Sequence, residues 1–433
     1  MFLFRRPASS PPGPPRFFLY LEAALLLLLS LSLLSSYTKR YPLFNQADSS
    51  LYELKEDQGE NAGKEPSKMP SESKPKISDS AENTQEKKFI RWVDFTITAD
   101  ALDKAFRFDL DTCLSTPHLN WIELLAYLGA RYGGDFSRYK ASDMDSLAEK
   151  LLQGESMENL TKEMKYYPYY LEAYTAVLGG MVGPFREEIP AEQAPESGNT
   201  GNTQGAENGL DAENMSDAEN SPDTQNTQDT VWVTKYGLKA FSPIASGFPY
   251  SDFDDFGTAR SYGFKRQHLG HDMMGQVGTP IIAVESGTVE ALGWNQYGGW
   301  RIGIRSFDGK RYYYYAHLRQ NYPYAEWLEE GSVVTAGDVI GYMGHTGYSV
   351  KENVNNIETV HLHFGLELVF DESQKESNNE IWINCYELTK FLAKNRSEVY
   401  KVEGTKEWKR VTDILLPEVE EANQNYKANN LTE

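Results

Sequence analysis

The first pattern along the chain is a largely apolar run from residue 17 to residue 37. As a helix this run would rise about 30 Å, which matches the hydrocarbon core of a bilayer. Leu33 and Leu34 stand where a signal-peptide cleavage site would need small residues, so an uncleaved anchor is favoured over a cleaved signal. The run therefore predicts a transmembrane helix, with residues 1–16 as a cytoplasmic N-terminus by a slight excess of preceding arginines.

Two later stretches have no hydrophobic pattern that could build a core. Residues 44–88 are rich in Ser, Glu, Lys, Asn and Pro, and residues 189–230 repeat the triplet AEN among Gly, Thr, Gln and Asp. Such segments bury too little apolar surface to offset the entropy of ordering. We predict a disordered linker over each stretch, the second of them acidic.

Between the two linkers, residues 89–188 carry apolar side chains at helical spacing. Trp121, Leu124 and Leu128 recur on one face of the stretch NWIELLAYLGARYGG. The pattern predicts a small all-α domain. Glu123 lies in the same stretch and could serve a glycosidase as general acid, but no second carboxylate accompanies it, so a solvated helix-face carboxylate is favoured.

From Val231 onward the pattern changes to short apolar runs separated by glycines, as in TPIIAVESGTVEALGW and WRIGIRSFDGKRYYYYAHL. Runs of this kind are typical of strands in an antiparallel sheet with tight turns. We expect a mainly antiparallel β domain with a groove over residues 231–395, ending in a short helix, and a loose acidic tail over residues 396–433. The whole chain is thus predicted to be multidomain, with a transmembrane helix, a small helical domain and a β domain.

Charge and cysteine content narrow the classes of function. Asp and Glu outnumber Lys and Arg by 63 to 42, which gives a formal charge of −21 among 433 residues and argues against a nucleic-acid partner. Cys113 and Cys385 are far apart in sequence and indicate neither a disulfide framework nor a metal spacing. Two unpaired core thiols are the simpler interpretation.

Several of the seven histidines fall in strand-like segments of the β domain. In HLGHD an extended chain places His268 and Asp272 on one face, with Gly270 leaving the space between them empty. In HLHFG the period of two places His361 and His363 on one face. These four side chains are candidates for a shared metal site.

A fifth candidate, His317, ends the run RYYYYAHL, where the same period places it on one face with Tyr313 and Tyr315. Zinc catalysis needs three nitrogen or oxygen ligands and an open position for water. Five candidates exceed this number, so some would act as acid, base or oxyanion groups. The chain has no HExxH helix, so a histidine would replace the glutamate base of that motif.

Taken in order, these motifs resemble the catalytic domain of the lysostaphin and LytM-type zinc metallopeptidases over about residues 235–370. The family's HxGxD element matches HLGHD, its strand histidine matches YAHL, and its HxHF element matches HLHF. The flanking segments GTPIIAVESGTV and EGSVVTAGDVIGYMGHTG match as well. The resemblance covers about a third of the chain.

The resemblance implies that His268, Asp272 and His363 bind one Zn²⁺, while His317 and His361 polarise the water and steady the tetrahedral intermediate. It also implies that the substrates are peptides of peptidoglycan, which lies outside the cytoplasm. We therefore expect a single-pass protein of the cell membrane, anchored through residues 17–37, whose extracytoplasmic bulk is a zinc endopeptidase.

Two insertions depart from the family pattern and are expected to flank the groove. SVKENVNNIETV lies between Tyr348 and His361, and RQNYPYAEWLEEG follows His317. They bear on substrate choice, and the bond cut is left open among a glycine bridge, a D-alanyl cross-link and a stem-peptide bond. The alternative function is an extracytoplasmic scaffold on the same fold, and the helical domain is a candidate site for a protein partner.

Overall fold

The computed structural model of the chain describes four ranges, which are 89–193, 230–262, 264–375 and 380–430. The predicted transmembrane run and the first predicted linker lie outside the described residues, as does most of the second linker. Within the described ranges, no helix is long and apolar enough to cross a membrane.

The predicted helical region is present. Its α-helices are α1 (Ala99–Thr112), α2 (Trp121–Tyr132), α3 (Ala141–Leu152), α4 (Met157–Thr161) and α5 (Tyr167–Leu178), with a 3₁₀ turn at Phe136–Arg138. The side chain of Asn120 accepts hydrogen bonds from the backbone N–H of Ile122 and Glu123, and so begins α2. Gly133 ends α2 with a φ of 65°, a left-handed conformation that favours glycine.

Most of the remaining regular elements are strands. In chain order they are β1 (Val182–Pro190), β2 (Thr230–Leu238), β3 (Ser251–Asp252), β4 (Ala259–Tyr262), β5 (Phe264–Gln267), β6 (His271–Met274), β7 (Pro280–Ile282), β8 (Gly287–Asn295), β9 (Gly299–Ser306), β10 (Arg311–Ala316), β11 (Val333–Val334), β12 (Val339–Tyr342), β13 (His361–Leu368), β14 (Ile381–Trp382), β15 (Val399–Lys401), β16 (Trp408–Arg410) and β17 (Ile414–Leu415). Two helices follow strands in this part of the chain, α6 (Tyr386–Leu392) and α7 (Pro417–Asn430), with 3₁₀ turns at Ala191–Gln193 and Glu372–Gln374.

The site is built on an eight-stranded antiparallel sheet. Its spatial order is β11-β8-β9-β10-β13-β6-β3, and β14 adds to the same sheet by pairing with β13. The hairpin β4–β5 and the pair β7–β12 lie outside this sheet. The prediction of a mainly antiparallel β domain is therefore confirmed.

The two faces of the sheet have different roles. Tyr313 and Tyr315 of β10 and Leu362 and Phe364 of β13 are fully buried in the hydrophobic core. Their neighbours at every second position point to the opposite face, because successive side chains of a strand alternate. That opposite face is the floor of a groove.

The helical region and the sheet share one hydrophobic core, which contains Leu102 and Val177 from helices and Ile304 and Leu366 from strands. Polar contacts also join them, since the Glu387 carboxylate of α6 accepts a hydrogen bond of 2.7 Å from the backbone N–H at the start of α1. In addition, β1 pairs with β2 along its whole length, so the chain on either side of the second predicted linker is held together. The sequence-based domain boundaries stay predictions.

Residues 396–430 differ from the predicted loose tail. Strands β15 to β17 and helix α7 occupy this segment. Trp408 packs against one apolar cluster of the β region, and Ile414, Leu416 and Val419 are buried in another. The prediction of a loose tail was based on the acidic composition of the segment. The segment also contains spaced apolar residues, and their burial stabilises it.

Candidate metal centre

Three of the predicted metal ligands converge on one point of the groove floor. Asp272 of β6 and His363 of β13 are register partners on adjacent strands, which brings their side chains together. The Oδ1 atom of Asp272 lies 2.9 Å from Nδ1 of His363 and 3.0 Å from Nε2 of His268. The two histidine nitrogens are 3.0 Å apart. The sequence-based grouping of these three residues is thus reproduced in space.

The backbone between His268 and Asp272 must pass very close to His363. A Cβ atom placed on Gly270 would lie 2.5 Å from Cε1 of His363 and 2.8 Å from the carbonyl oxygen of Phe364. Neither neighbour has room for an additional carbon at that distance. Glycine is therefore required here by space, which gives a physical reason for the glycine in the HLGHD motif.

The three side chains fit a zinc ion in donor type and spacing. They offer two imidazole nitrogens and one carboxylate oxygen, and these atoms lie within 4.8 Å of one another. Zinc bonds of about 2.0–2.1 Å in tetrahedral geometry would place ligand atoms about 3.3 Å apart. A three-ligand set of this kind leaves a fourth position open, as in catalytic rather than structural zinc sites.

The electrostatics of the cluster favour a charged carboxylate on Asp272 beside a neutral imidazole on His363. Burial raises the pKa of Asp272, but hydrogen bonds from His268 and His363 outweigh it and hold that pKa well below its usual range. Burial lowers the pKa of His363. A neutral ring and an ionised carboxylate are the protonation states in which these residues ligate a metal.

Two residues that the sequence patterns did not identify support the ligands from behind. Nδ1 of His268 lies 3.1 Å from the carboxylate of Asp255, a contact that orients the ring so that Nε2 faces the cluster. Arg260 pairs with Asp255 and also donates to Oδ2 of Asp272 at 3.1 Å. No motif carries this signal, because Asp255 lies in a loop and Arg260 in a short hairpin.

His361 and His317 stand beside the cluster with a common orientation. Nδ1 of His361 lies 2.8 Å from the carbonyl oxygen of Thr359, and Nδ1 of His317 lies 2.9 Å from that of Thr346. A carbonyl oxygen can only accept, so each Nδ1 carries the proton and each Nε2 carries the lone pair. The two ring centroids are 4.7 Å apart, and Nε2 of His361 is 3.7 Å from Asp272.

The predicted face of His317 is wrong. Tyr313 and Tyr315 point into the core, whereas His317 lines the groove with the alternate residues Tyr314 and Ala316. His317 follows the end of β10 and has a φ of 63°, so the strand alternation does not reach it. A hydrogen bond of 2.7 Å from its backbone N–H to Gly298 holds this turn.

The groove around the centre has a volume of about 950 Å³. Part of the insertion before His361 borders it, through Ile357, Glu358 and Thr359, as predicted, and so does Tyr348 just ahead of the insertion. Tyr348 also lies against Arg266 of β5, whose guanidinium stands 4.9 Å from the ring centre. The insertion that follows His317 contributes no residue to the lining among the described residues.

The other histidines and Glu123 take no part in the centre. Nε2 of His271 lies 2.9 Å from the carboxylate of Asp252, behind the ligand face. His345 contacts the carbonyl oxygen of Ile357 at 2.7 Å and does not line the groove. Glu123 lies on α2, outside the groove lining.

Comparisons with known proteins show what this chain is similar to. The L-Ala--D-Glu endopeptidase of Bacillus subtilis is 37% identical over 124 residues, which are 29% of this chain and 36% of that protein. Lysostaphin of Staphylococcus staphylolyticus is 37% identical over 98 residues, which are 22% of this chain and 18% of that protein. The chain thus spans little more than a third of the first relative and less of the second.

A crystal structure of a candidate glycyl-glycine endopeptidase lytM from Ruminococcus gnavus is similar to 70% of this chain, with 22% identity, a TM-score of 0.43 and coverage of 90% of that chain. The sequence model of Peptidase family M23 matches residues 266–378. This range contains all five site residues and no part of the helical region. This range begins at β5 and ends just after β13, and so includes both ligand strands. Residues 266–378 are therefore the part of this chain that is similar to peptidase family M23.

Proposed function

We propose that this chain is a zinc metalloendopeptidase that hydrolyses peptide bonds of bacterial cell-wall peptidoglycan. The observation that carries the proposal is the pairing of two arrangements. His268, Asp272 and His363 form a three-ligand cluster, and His317 and His361 lie beside it with each Nδ1 atom held by a backbone carbonyl oxygen. Peptidases of family M23 are zinc-dependent enzymes that act on peptidoglycan, which supports the same function.

In this proposal His268, Asp272 and His363 hold one Zn²⁺, which when bound lowers the pKa of water and polarises a carbonyl group. Asp255 and Arg260 keep the ligand side chains oriented, through their contacts with His268 and Asp272. Because the three ligand side chains already lie together, they need to move little when the ion binds.

His317 and His361 act as the proton carriers. Burial, together with the charges of neighbouring histidines, holds the pKa of His317 well below its usual range, so its ring is neutral near pH 7. The Nε2 lone pair of a neutral imidazole accepts a proton from the attacking water, and a protonated ring returns one to the amine that leaves. The carbonyl oxygens of Thr346 and Thr359 fix the tautomer that this transfer requires.

The groove accommodates an extended peptide rather than a compact ligand. Its floor includes Tyr314 of β10, and its walls come from the hairpin β4–β5, from Tyr348 and from the insertion that follows Tyr348. The relative from Bacillus subtilis is named for an L-Ala–D-Glu bond, which belongs to a stem peptide rather than to a glycine bridge. We therefore place a stem-peptide bond first among the candidate bonds.

Digestion of purified peptidoglycan by residues 89–433 is expected to release new amino and carboxyl termini at one type of peptide bond, which mass spectrometry identifies. The helical region is kept in this protein because it shares the core of the sheet. Activity should disappear with a zinc chelator and return when Zn²⁺ is restored.

New reducing sugar ends in place of new peptide termini would contradict the proposal and direct attention to the helical region. If Zn²⁺ binds with a stoichiometry of one but no peptide of any wall preparation is cut, the chain is a scaffold on this fold rather than an enzyme.

We also propose that residues 17–37 anchor the protein in the cell membrane, with the part after Lys39 outside. The length and apolarity of the run support this proposal. A protease added to intact cells stripped of their wall is expected to remove the M23 domain while a cytoplasmic marker protein survives. Full protection of the domain, or recovery of a soluble form beginning near Tyr37, would contradict the anchor.

A further inference from the structure

The groove floor continues beyond the metal centre across β10 and β9. Ile302 of β9 is the register partner of Tyr315, and Ala316 is that of His363, so Arg301 falls in the same row as the ligand His363. Arg301 and His363 are separated by one intervening strand, which corresponds to about 10 Å between their backbones. A peptide bound at the metal centre and extended across the strands therefore passes Arg301.

The guanidinium group of Arg301 lines the groove without a protein partner among the described residues. Its Nε atom is buried and makes no hydrogen bond. Apart from the pairing of its backbone with β8, Arg301 accepts a hydrogen bond of 3.0 Å at its carbonyl oxygen from the hydroxyl of Tyr324. Burying an N–H group without an acceptor costs free energy, and this cost is largest for charged groups.

Arg305 adds a second unpaired donor on the same side of β9. Its Nε donates to Glu290 at 2.7 Å and its Nη1 to the carbonyl oxygen of Gly309 at 3.0 Å. Its Nη2 is buried and has no acceptor in the described part of the chain. The guanidinium also stacks near Tyr312, 5.4 Å from the ring centre, which fixes its plane.

The carboxylates nearby do not neutralise Arg301. The carboxylate of Glu290 forms ion pairs with Arg305 and Lys375 instead. Glu367, which is 5% exposed, is the register partner of Tyr312 and so lies in the row of Arg305 rather than in that of Arg301. Burial, with the charge of Glu380, raises the pKa of Glu367 to about 7, which weakens its charge near neutral pH.

We propose that Arg301 binds a free carboxylate of the peptide substrate, carried by a residue one or two positions from the bond that is cut. This inference rests on the proposed function, because it takes the groove to be occupied by a peptide. It identifies the substrate class as an acidic peptide. A guanidinium donates two parallel hydrogen bonds to a carboxylate, which a neutral amide cannot match in charge or geometry.

The test compares two synthetic stem-type peptides that are identical except for one side group, a free carboxylate in one and its primary amide in the other. We expect the zinc-loaded protein to cut the acid form with a kcat/KM about 10- to 100-fold higher than the amide form, the range typical of a desolvated charge-assisted hydrogen bond. Arg301→Gln should reduce this acid-to-amide ratio to near one. Arg301→Lys should retain part of the preference for the acid form, because lysine keeps the positive charge but cannot donate two parallel hydrogen bonds to a carboxylate.

The matched control is Arg107→Gln, which removes the same charge from an exposed site on α1 and should leave the ratio unchanged. A ratio near one in the unmodified protein would overturn the proposal, as would equal losses on both peptides in Arg301→Gln. Tighter binding of the amide form would overturn it as well.

A second measurement separates this subsite from the proposed function. Calorimetric binding of both peptides to protein stripped of metal should show about 10-fold tighter binding of the acid form, lost in Arg301→Gln. If the loaded protein cuts neither peptide but this preference is present, the subsite stands and the peptidase proposal fails. If both peptides are cut and bound equally, the peptidase proposal stands and the subsite fails.

Discussion

Replacing His363 with alanine is expected to remove zinc binding and hydrolysis together. Nδ1 of His363 lies 3.0 Å from Nε2 of His268 and 2.9 Å from Oδ1 of Asp272, so it is one of only three protein donors in the cluster. The variant retains two donors, which bind zinc far more weakly than three. Atomic absorption on the dialysed protein should therefore find little zinc, and digestion of peptidoglycan should stop.

His361→Ala should behave differently, although both histidines belong to β13 and face the same groove. Nε2 of His361 is 3.7 Å from the Asp272 carboxylate, and its Nδ1 is committed to the carbonyl oxygen of Thr359. Its loss should leave zinc near one equivalent while kcat falls by roughly 10² to 10⁴, the effect of removing an acid-base or oxyanion group. His317→Ala should resemble His361→Ala.

Both measurements need a histidine variant outside the groove for comparison. His118→Ala serves this purpose, because His118 is bonded to Asp109 in the helical region. It should retain both zinc and activity. Equal loss of zinc in the His317, His361 and His363 variants would show that the ligands are assigned wrongly.

The sequence predicted those parts of the site that depend on strand alternation. The period of two in HLHFG placed His361 and His363 together, and the same period in HLGHD placed His268 with Asp272. Both pairs meet in the structure because β6 and β13 are adjacent strands. That adjacency is a long-range pairing, and only the family resemblance implied it.

Other features depended on information that alternation does not carry. His317 reaches the groove through a left-handed backbone conformation, which no residue type in YAHL signals. No sequence pattern identifies Arg301 or Glu367, since a charged residue in a half-buried strand is normally on the solvent-exposed face. The ordering of residues 396–430 and the shared core of helices and sheet required contacts between segments far apart in the chain.

Arg311→Met is expected to destabilise the protein by about 3–5 kcal/mol, the cost typical of removing one partner of a buried ion pair. Arg311 is 2% exposed and donates to both carboxylate oxygens of Glu285, at 2.7 Å and 3.0 Å. Its Nη1 donates to the carbonyl oxygen of Ala176 in α5 at 2.8 Å. The variant leaves the Glu285 charge buried without its bidentate partner and the carbonyl of α5 without its donor.

Urea unfolding of residues 89–433 measures this cost, and amide hydrogen exchange locates it. Exchange should accelerate in α5, because Arg311 is a polar link between that helix and the sheet. The double variant Glu285→Gln with Arg311→Met should be destabilised less than the sum of the single variants, since the uncompensated charge is gone. Arg107→Gln breaks the exposed pair with Asp103, and should change stability by less than about 0.5 kcal/mol. If Arg311→Met costs no more than Arg107→Gln, or if α5 keeps its protection, the contact through Arg311 does not hold the helical region to the sheet.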